Sequence, residues 1–208
     1  MTPIPDLLKK YPELKSARKD IDKACKVITR AFSAGRKLLL CGNGGSAADC
    51  EHISGEFLKG FMSKRPLPAA AKRDLVRRFG GEGRILADHL QVGFAALPLV
   101  SFSSLLTAFA NDVAPQLCFA QMVNAVGMRG DVFLGISTSG KAENVIYAAM
   151  TAKARGLITV AMTGGDGGRL KNYCDIVIRT PGNNPPTVQE YHLPVYHAMC
   201  MEIERRLV

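Results

Sequence analysis

The 208-residue sequence has no apolar run that approaches the roughly eighteen residues of a membrane span. Its opening, MTPIPDLLKKYPELK, carries charge where a secretory leader needs an apolar stretch. No membrane is therefore expected as a partner, and the cytoplasm is the expected compartment. Six cysteines (Cys25, Cys41, Cys50, Cys118, Cys174 and Cys200) are scattered, mostly in apolar contexts, and none forms a C-x-x-C. That excludes a disulfide framework and a zinc knuckle and leaves small buried hydrophobes. Nucleotide fingerprints are missing too: the one prominent glycine turn, GNGGS, has neither the full G-x-G-x-x-G spacing nor a following Walker lysine. The basic residues Lys64, Arg65, Lys72, Arg73, Arg77, Arg78 and Arg84 crowd one stretch without the interleaved aromatics that stack bases, so nucleic acid is not the expected partner.

What is present is ordinary for a globular chain: 47% hydrophobic and 22% charged residues, at a length that buries one domain's core. The formal charge of +9 points to anionic partners, a phosphorylated metabolite among them.

The chain is organised around Lys37 to Phe61. Lys37 to Cys41 has the length of a buried strand, Gly42 to Gly45 forms a turn, and Ser46 suits a helix N-cap. On the helix that follows, His52 and Glu56 stand four apart and project from one face. An imidazole beside a carboxylate at the carboxyl edge of a parallel sheet is part of a metal site or a proton-transfer pair, although such pairs are also common on plain surfaces.

Upstream, Leu7 to Ala34 reads as a helical arm stopped by Gly35, whose long apolar side could pack on another subunit or on its own sheet. Residues 62–91 read as an insertion, a loop with one basic helix that Gly80 to Gly83 ends. Strands follow at Leu97–Phe102, Asp131–Ile136, Leu157–Met162 and Asp175–Arg179. Helices are expected at Ser103–Phe109, Pro115–Val126, Ala142–Ala154, Gly168–Tyr173 and Val188–Leu207, the last kinked at Pro194. Alternation of this kind makes parallel β-α-β units, an α/β sheet covered on both faces.

A second strand–turn–helix junction, Ser137-Thr138-Ser139-Gly140, offers hydroxyl donors and a free helix start, which suit a phosphate monoester held rather than transferred. The last helix carries Gln189, Glu190, His192 and His197. His197, between Tyr196 and Ala198, is expected to face inward or into a crevice, and His192 reads as an ordinary core or surface histidine.

CGNGGSAADCEHISGEF, LGISTSGKAENVI, TVAMTGGDGG and VQEYHLPVYH together resemble the sugar-isomerase (SIS) domain of the phosphoheptose isomerase family over nearly the whole chain outside residues 62–91. The resemblance implies a three-layer sandwich in a single domain, 1–208, and conversion of sedoheptulose 7-phosphate to its aldose. It implies one zinc per subunit on His52, Glu56, Gln189 and His197. Such an isomerisation needs a base and an electrophile, and Glu56 is the expected base and His197 the expected acid. It further implies phosphate binding by Ser137, Thr138 and Ser139, sugar contacts at Asn43, Gly44, Ser46, Asp112 and Gln189, and a homotetramer with sites at subunit interfaces. Ala142, Pro186, Thr187, Val188 and Pro194 depart from the family pattern, which keeps open an isomerase of another phosphosugar. A third reading is a non-catalytic SIS protein that binds a replication-initiation partner.

Overall fold

The computed structural model describes residues 2–208. Five parallel strands, β1 (Leu38–Cys41), β2 (Ala96–Pro98), β3 (Val132–Ser137), β4 (Ile158–Gly164) and β5 (Ile176–Thr180), lie in the order β2-β1-β3-β4-β5. The strands read as unbroken apolar runs because both faces of the sheet are covered. Leu38 and Leu40 pack beneath α2 (Arg18–Ser33), α3 (Gly45–Leu58) and α8 (Pro185–Leu207), together with α1 (Pro3–Lys10). Leu39 and Cys41 point the other way, toward α6 (Cys118–Val126) and α7 (Glu143–Ala154). This is a three-layer α/β sandwich. The chain leaves β1 for β2 on one side and returns to β3 on the other, so the topological switch point lies between the carboxyl ends of β1 and β3.

The N-terminal arm is not one helix. Pro12 pushes Tyr11 out of helical geometry (φ −127°, ψ 78°), ends α1 and opens a 3-10 turn, Pro12–Ala17, before α2. Nor does it wait for another subunit: Ile4, Leu7, Leu14, Ile21 and Ile28 are buried in the chain's own core. The strand expected at Leu97–Phe102 is shorter, β2 giving way to a 3-10 turn at Leu99–Ser101. The helix expected from Pro115 begins as a 3-10 turn, Pro115–Leu117, and α5 (Ser103–Asp112) extends through the expected turn at Asn111-Asp112. The final helix starts at Pro185, where the Asn184 side chain accepts from Thr187 N at 3.1 Å. It continues unbroken through Pro194, whose missing N–H would have served the carbonyl of Glu190, a solvent-exposed residue that water can satisfy.

The inserted segment differs from expectation most. Residues Ala69–His89 form a helical hairpin, α4, broken at Gly80 by φ 55° and ψ −123°. Gly44, the cap of α3, has nearly the same pair, φ 55° and ψ −122°. Both positions favour glycine because a side chain rarely adopts positive φ, and both start a helix rather than stop one. The second arm folds back so closely that a Cβ on Gly83 would meet the Leu75 carbonyl. Few side chains of the hairpin are buried, and Phe79, Ile85 and Leu86 are exposed. Its base is tied by Gly60 N donating to Gln91 Oε1 at 2.6 Å and Val92 N donating to Arg65 O at 2.7 Å.

Candidate functional site

Helices α3 and α8 run side by side in the same direction. At their starts the Gln189 side chain lies against Gly45, where any Cβ would collide with its amide. One face of α3 then presents His52 and Glu56, with His52 Nε2 3.2 Å from Glu56 Oε1. From α8, His197 Nε2 comes within 3.4 Å of the same His52 nitrogen. Lys59 Nζ holds the other carboxylate oxygen of Glu56 at 3.1 Å. Burial, and then the neighbouring His52, keep His197 below the ordinary histidine value, with Glu56 opposing. Three of the expected ligands therefore meet. Gln189 does not meet them within one chain: it precedes His197 by eight residues, roughly 12 Å along the helix.

Two groups that sequence reasoning missed hold this cluster. The buried Tyr196 hydroxyl lies 3.0 Å from His52 Nδ1 and 3.3 Å from Asp49 Oδ1. Burial and the Asp49 carboxylate push the phenol up, so it stays protonated, while burial raises Asp49. The available signal was Asp49 at three residues before His52, which shares its face. The second group is Glu204, which accepts from the backbone N of Phe61, Met62 and Ser63 at 2.9, 2.8 and 3.1 Å and pairs with Arg65 at 3.3 Å. Arg65 also donates to the carbonyl of Phe57 at 3.0 Å and stacks on Phe94. This clamp sets Phe61 with its ring 5.8 Å from that of His197.

At the switch point Asn43 and Asn144 exchange side-chain hydrogen bonds of 2.9 and 2.8 Å, joining the β1 and β3 junctions. Gly44 is open. Ser46 is not the cap: Gly44 occupies that position, and Ser46 is buried in the first turn of α3, at 3% exposure. Beside the second junction a cavity of about 380 Å³ is lined by Thr138, Ser139, Lys141, Asp166, Asn183 and Asn184. Ser137, by contrast, is the buried last residue of β3 and lines no part of it. Ser139 Oγ accepts from Lys141 N at 3.2 Å. Asp166 is held by Lys171 at 2.9 Å, and that pairing keeps its carboxyl below the usual range. Asp112 closes the exposed helix α5 and accepts from Asn111 at 2.9 Å, with no hydrogen bond to the histidine cluster. His192 is fully buried with neither ring nitrogen in a hydrogen bond of normal geometry, and burial lowers its pKa to about 4, opposed by the nearby Thr163 backbone.

The SIS domain family model matches residues 6–74 and 97–164. A phosphoheptose isomerase of Synechocystis sp. is 37% identical over 188 residues, 90% of this chain and 83% of that protein. The chain belongs to the phosphoheptose isomerase family. A second relative, the phosphoheptose isomerase of Fusobacterium nucleatum, is 37% identical over 202 residues, 96% of this chain and 89% of its own. Among solved structures, a phosphoheptose isomerase from Francisella tularensis superposes with a TM-score of 0.74 at 27% identity, covering 99% of this chain and 100% of that one. The Neisseria gonorrhoeae phosphoheptose isomerase gives 0.73 at 30% identity, covering 96% and 94%. Family membership makes the protein an enzyme, an isomerase. The gap between the two matched segments, 75–96, takes in most of the hairpin, and α8 lies beyond the second segment.

Family membership raises the question of a metal. Among the described residues no three His, Cys, Asp or Glu side chains are already gathered into a group that could hold a metal ion. The donor set nevertheless fits zinc chemically. Bonds of about 2.0–2.1 Å in a tetrahedron imply ligand–ligand edges of roughly 3.3–3.4 Å. His52 Nε2 stands 3.2 Å from the Glu56 oxygen and 3.4 Å from His197 Nε2. Small side-chain rotations suffice to gather three donors already this close. No helix among the described residues is long and apolar enough to cross a membrane.

Proposed function

We propose that the protein converts sedoheptulose 7-phosphate to its aldose, D-glycero-D-manno-heptose 7-phosphate, by moving a proton between C1 and C2 through an enediolate. The observation that carries this reading is the meeting of Glu56, His52 and His197 on the α3–α8 seam, in a chain whose relatives are named phosphoheptose isomerases. Glu56 takes the C1 proton and returns it to C2. His197, held neutral by burial, gives a proton to O2 and accepts one from O1, so the carbonyl shifts with no external oxidant. Thr138, Ser139 and Lys141 hold the phosphate in the cavity beside the second junction. Lys141 supplies charge where Ala142 has no hydroxyl to offer. His52, Glu56 and His197 would hold one zinc per subunit. The chemistry it supplies when bound is electrophilic, a positive charge beside the developing oxyanion. In a homotetramer with sites at subunit interfaces, Gln189 would serve the centre of a neighbouring chain.

The test is turnover of sedoheptulose 7-phosphate by the purified protein, beside a panel of other ketose phosphates. Turnover of another phosphosugar alone would transfer the reading to that substrate. Elemental analysis should give about one zinc per chain, and equal zinc in His52→Ala would remove the metal site.

A further inference from the structure

The two ring nitrogens of His52 have different neighbours. Nε2 faces Glu56 Oε1 and His197 Nε2, at 3.2 and 3.4 Å. Nδ1 faces the Tyr196 hydroxyl at 3.0 Å, and that hydroxyl is 3.3 Å from Asp49 Oδ1. A phenol has one proton to give and two acceptors compete for it. The carboxylate is the stronger, being charged and unable to donate. The other oxygen of Asp49 is buried without a partner, so the phenol is the donor that satisfies this side chain. With the phenol proton on Asp49, the phenol oxygen has lone pairs left for an N–H from His52.

We propose that Asp49 and Tyr196 form a positioning relay that fixes the Nδ1–H tautomer of His52 and so turns the Nε2 lone pair toward Glu56 and His197. The relay rests on the zinc-site reading for its use, since a ligating imidazole must offer a lone pair and its other nitrogen must have an acceptor. Without the phenol, the nearest acceptor for a His52 proton is Glu56 Oε1, and the proton would sit on Nε2, where it blocks ligation. The fold supports the relay at two further points. Tyr196 is 2% exposed, so its hydroxyl is kept for Asp49 and His52 rather than for bulk water. The rings of Tyr196 and His197 also meet His52 edge-on, at interplanar angles of 75° and 83°, which hold the imidazole plane. Asp49 and His52 come from one turn of α3, and Tyr196 and His197 are successive residues of α8.

The experiment is long-range proton–nitrogen correlation NMR on metal-free protein labelled at histidine, at about pH 8.5, roughly two units above the ordinary imidazole value. His52→Gln assigns the signal, and a chelator competition gives zinc affinity. The wild type is expected to carry the His52 proton on Nδ1. Tyr196→Phe removes only the hydroxyl, and should move that proton to Nε2 and weaken zinc binding roughly 10–100-fold. Asp49→Asn, whose amide can donate to the phenol, should reverse the tautomer as well. A wild-type proton on Nε2 overturns the relay, and needs no variant to show it. So does a folded Tyr196→Phe that keeps both the wild-type tautomer and its zinc affinity. A wild type with Nδ1–H that binds no zinc supports the relay and sets aside the metal reading.

Discussion

The α3–α8 seam and the α4 hairpin are both rich in charge, but they use it differently. On the seam, Arg65 and Glu204 are almost wholly buried, at 2% and 4% side-chain exposure, and each is pinned by backbone groups as well as by its partner. On the hairpin, Arg77 and Arg78 reach one Asp74 from side chains 72% and 60% exposed. Exposed pairs of that kind contribute little, whereas a buried pair fixes geometry and is expensive to leave half-made. The difference is one of order: the seam holds side chains in fixed relation, and the hairpin presents a solvated basic surface beside an apolar one.

The largest effect expected on this contrast is at the seam's reactive face. Glu56→Gln keeps the shape and removes the proposed base, so kcat should fall by roughly 10²–10⁴-fold with an unchanged circular dichroism spectrum. Next comes the clamp. Glu204→Ala leaves Arg65 charged and unpaired, together with three backbone N–H groups, and should lower unfolding stability by about 3–5 kcal/mol in urea. Asp74→Ala on the hairpin should stay within about 0.5 kcal/mol in the same measurement.

His192 gives the third prediction. Its folded-state pKa of about 4 lies below the ordinary 6.5, so between these values the unfolded chain binds the extra proton and the folded chain does not. Stability is then complete above about pH 6.5 and falls toward pH 4, by about 3 kcal/mol over the whole window. His192→Leu should flatten that acid limb in urea titrations at pH 7.5 and pH 5. The smallest effect belongs to Arg77→Ala with Arg78→Ala, for which a solvated face predicts an unchanged KM at low and high salt. A KM that rises only at low salt would instead make the hairpin an electrostatic guide for substrate, since screening at physiological ionic strength confines exposed charge to about 8 Å.

The seam was legible where helical periodicity governs. His52 and Glu56 at four-residue spacing share a face by the 3.6-residue repeat, whereas His197 joined them only through the family resemblance, and the structure brings all three together. What escaped depended on contacts between elements. Tyr196 looks like core in the sequence, and only the pairing of α8 with α3 gives its hydroxyl two polar neighbours. Glu204 looks like one more charge on a C-terminal helix until the 61–63 backbone turns onto it. In the hairpin the glycines of GGEG suggested a stop, yet Gly80 starts a second arm and Gly83 lets it pack on the first. The α/β class itself was plain because buried parallel strands and their junction turns are local signals.

The central claim is that Glu56 carries a proton between neighbouring carbons of a seven-carbon ketose phosphate. Incubation of the enzyme with sedoheptulose 7-phosphate in deuterated water tests it most directly, because a carboxylate that holds the proton between the two carbons exchanges part of it with solvent before returning it. The account predicts an aldose product that carries deuterium at C2, formed at least roughly 100-fold more slowly by Glu56→Gln. Labelled product at an undiminished rate from Glu56→Gln would contradict it.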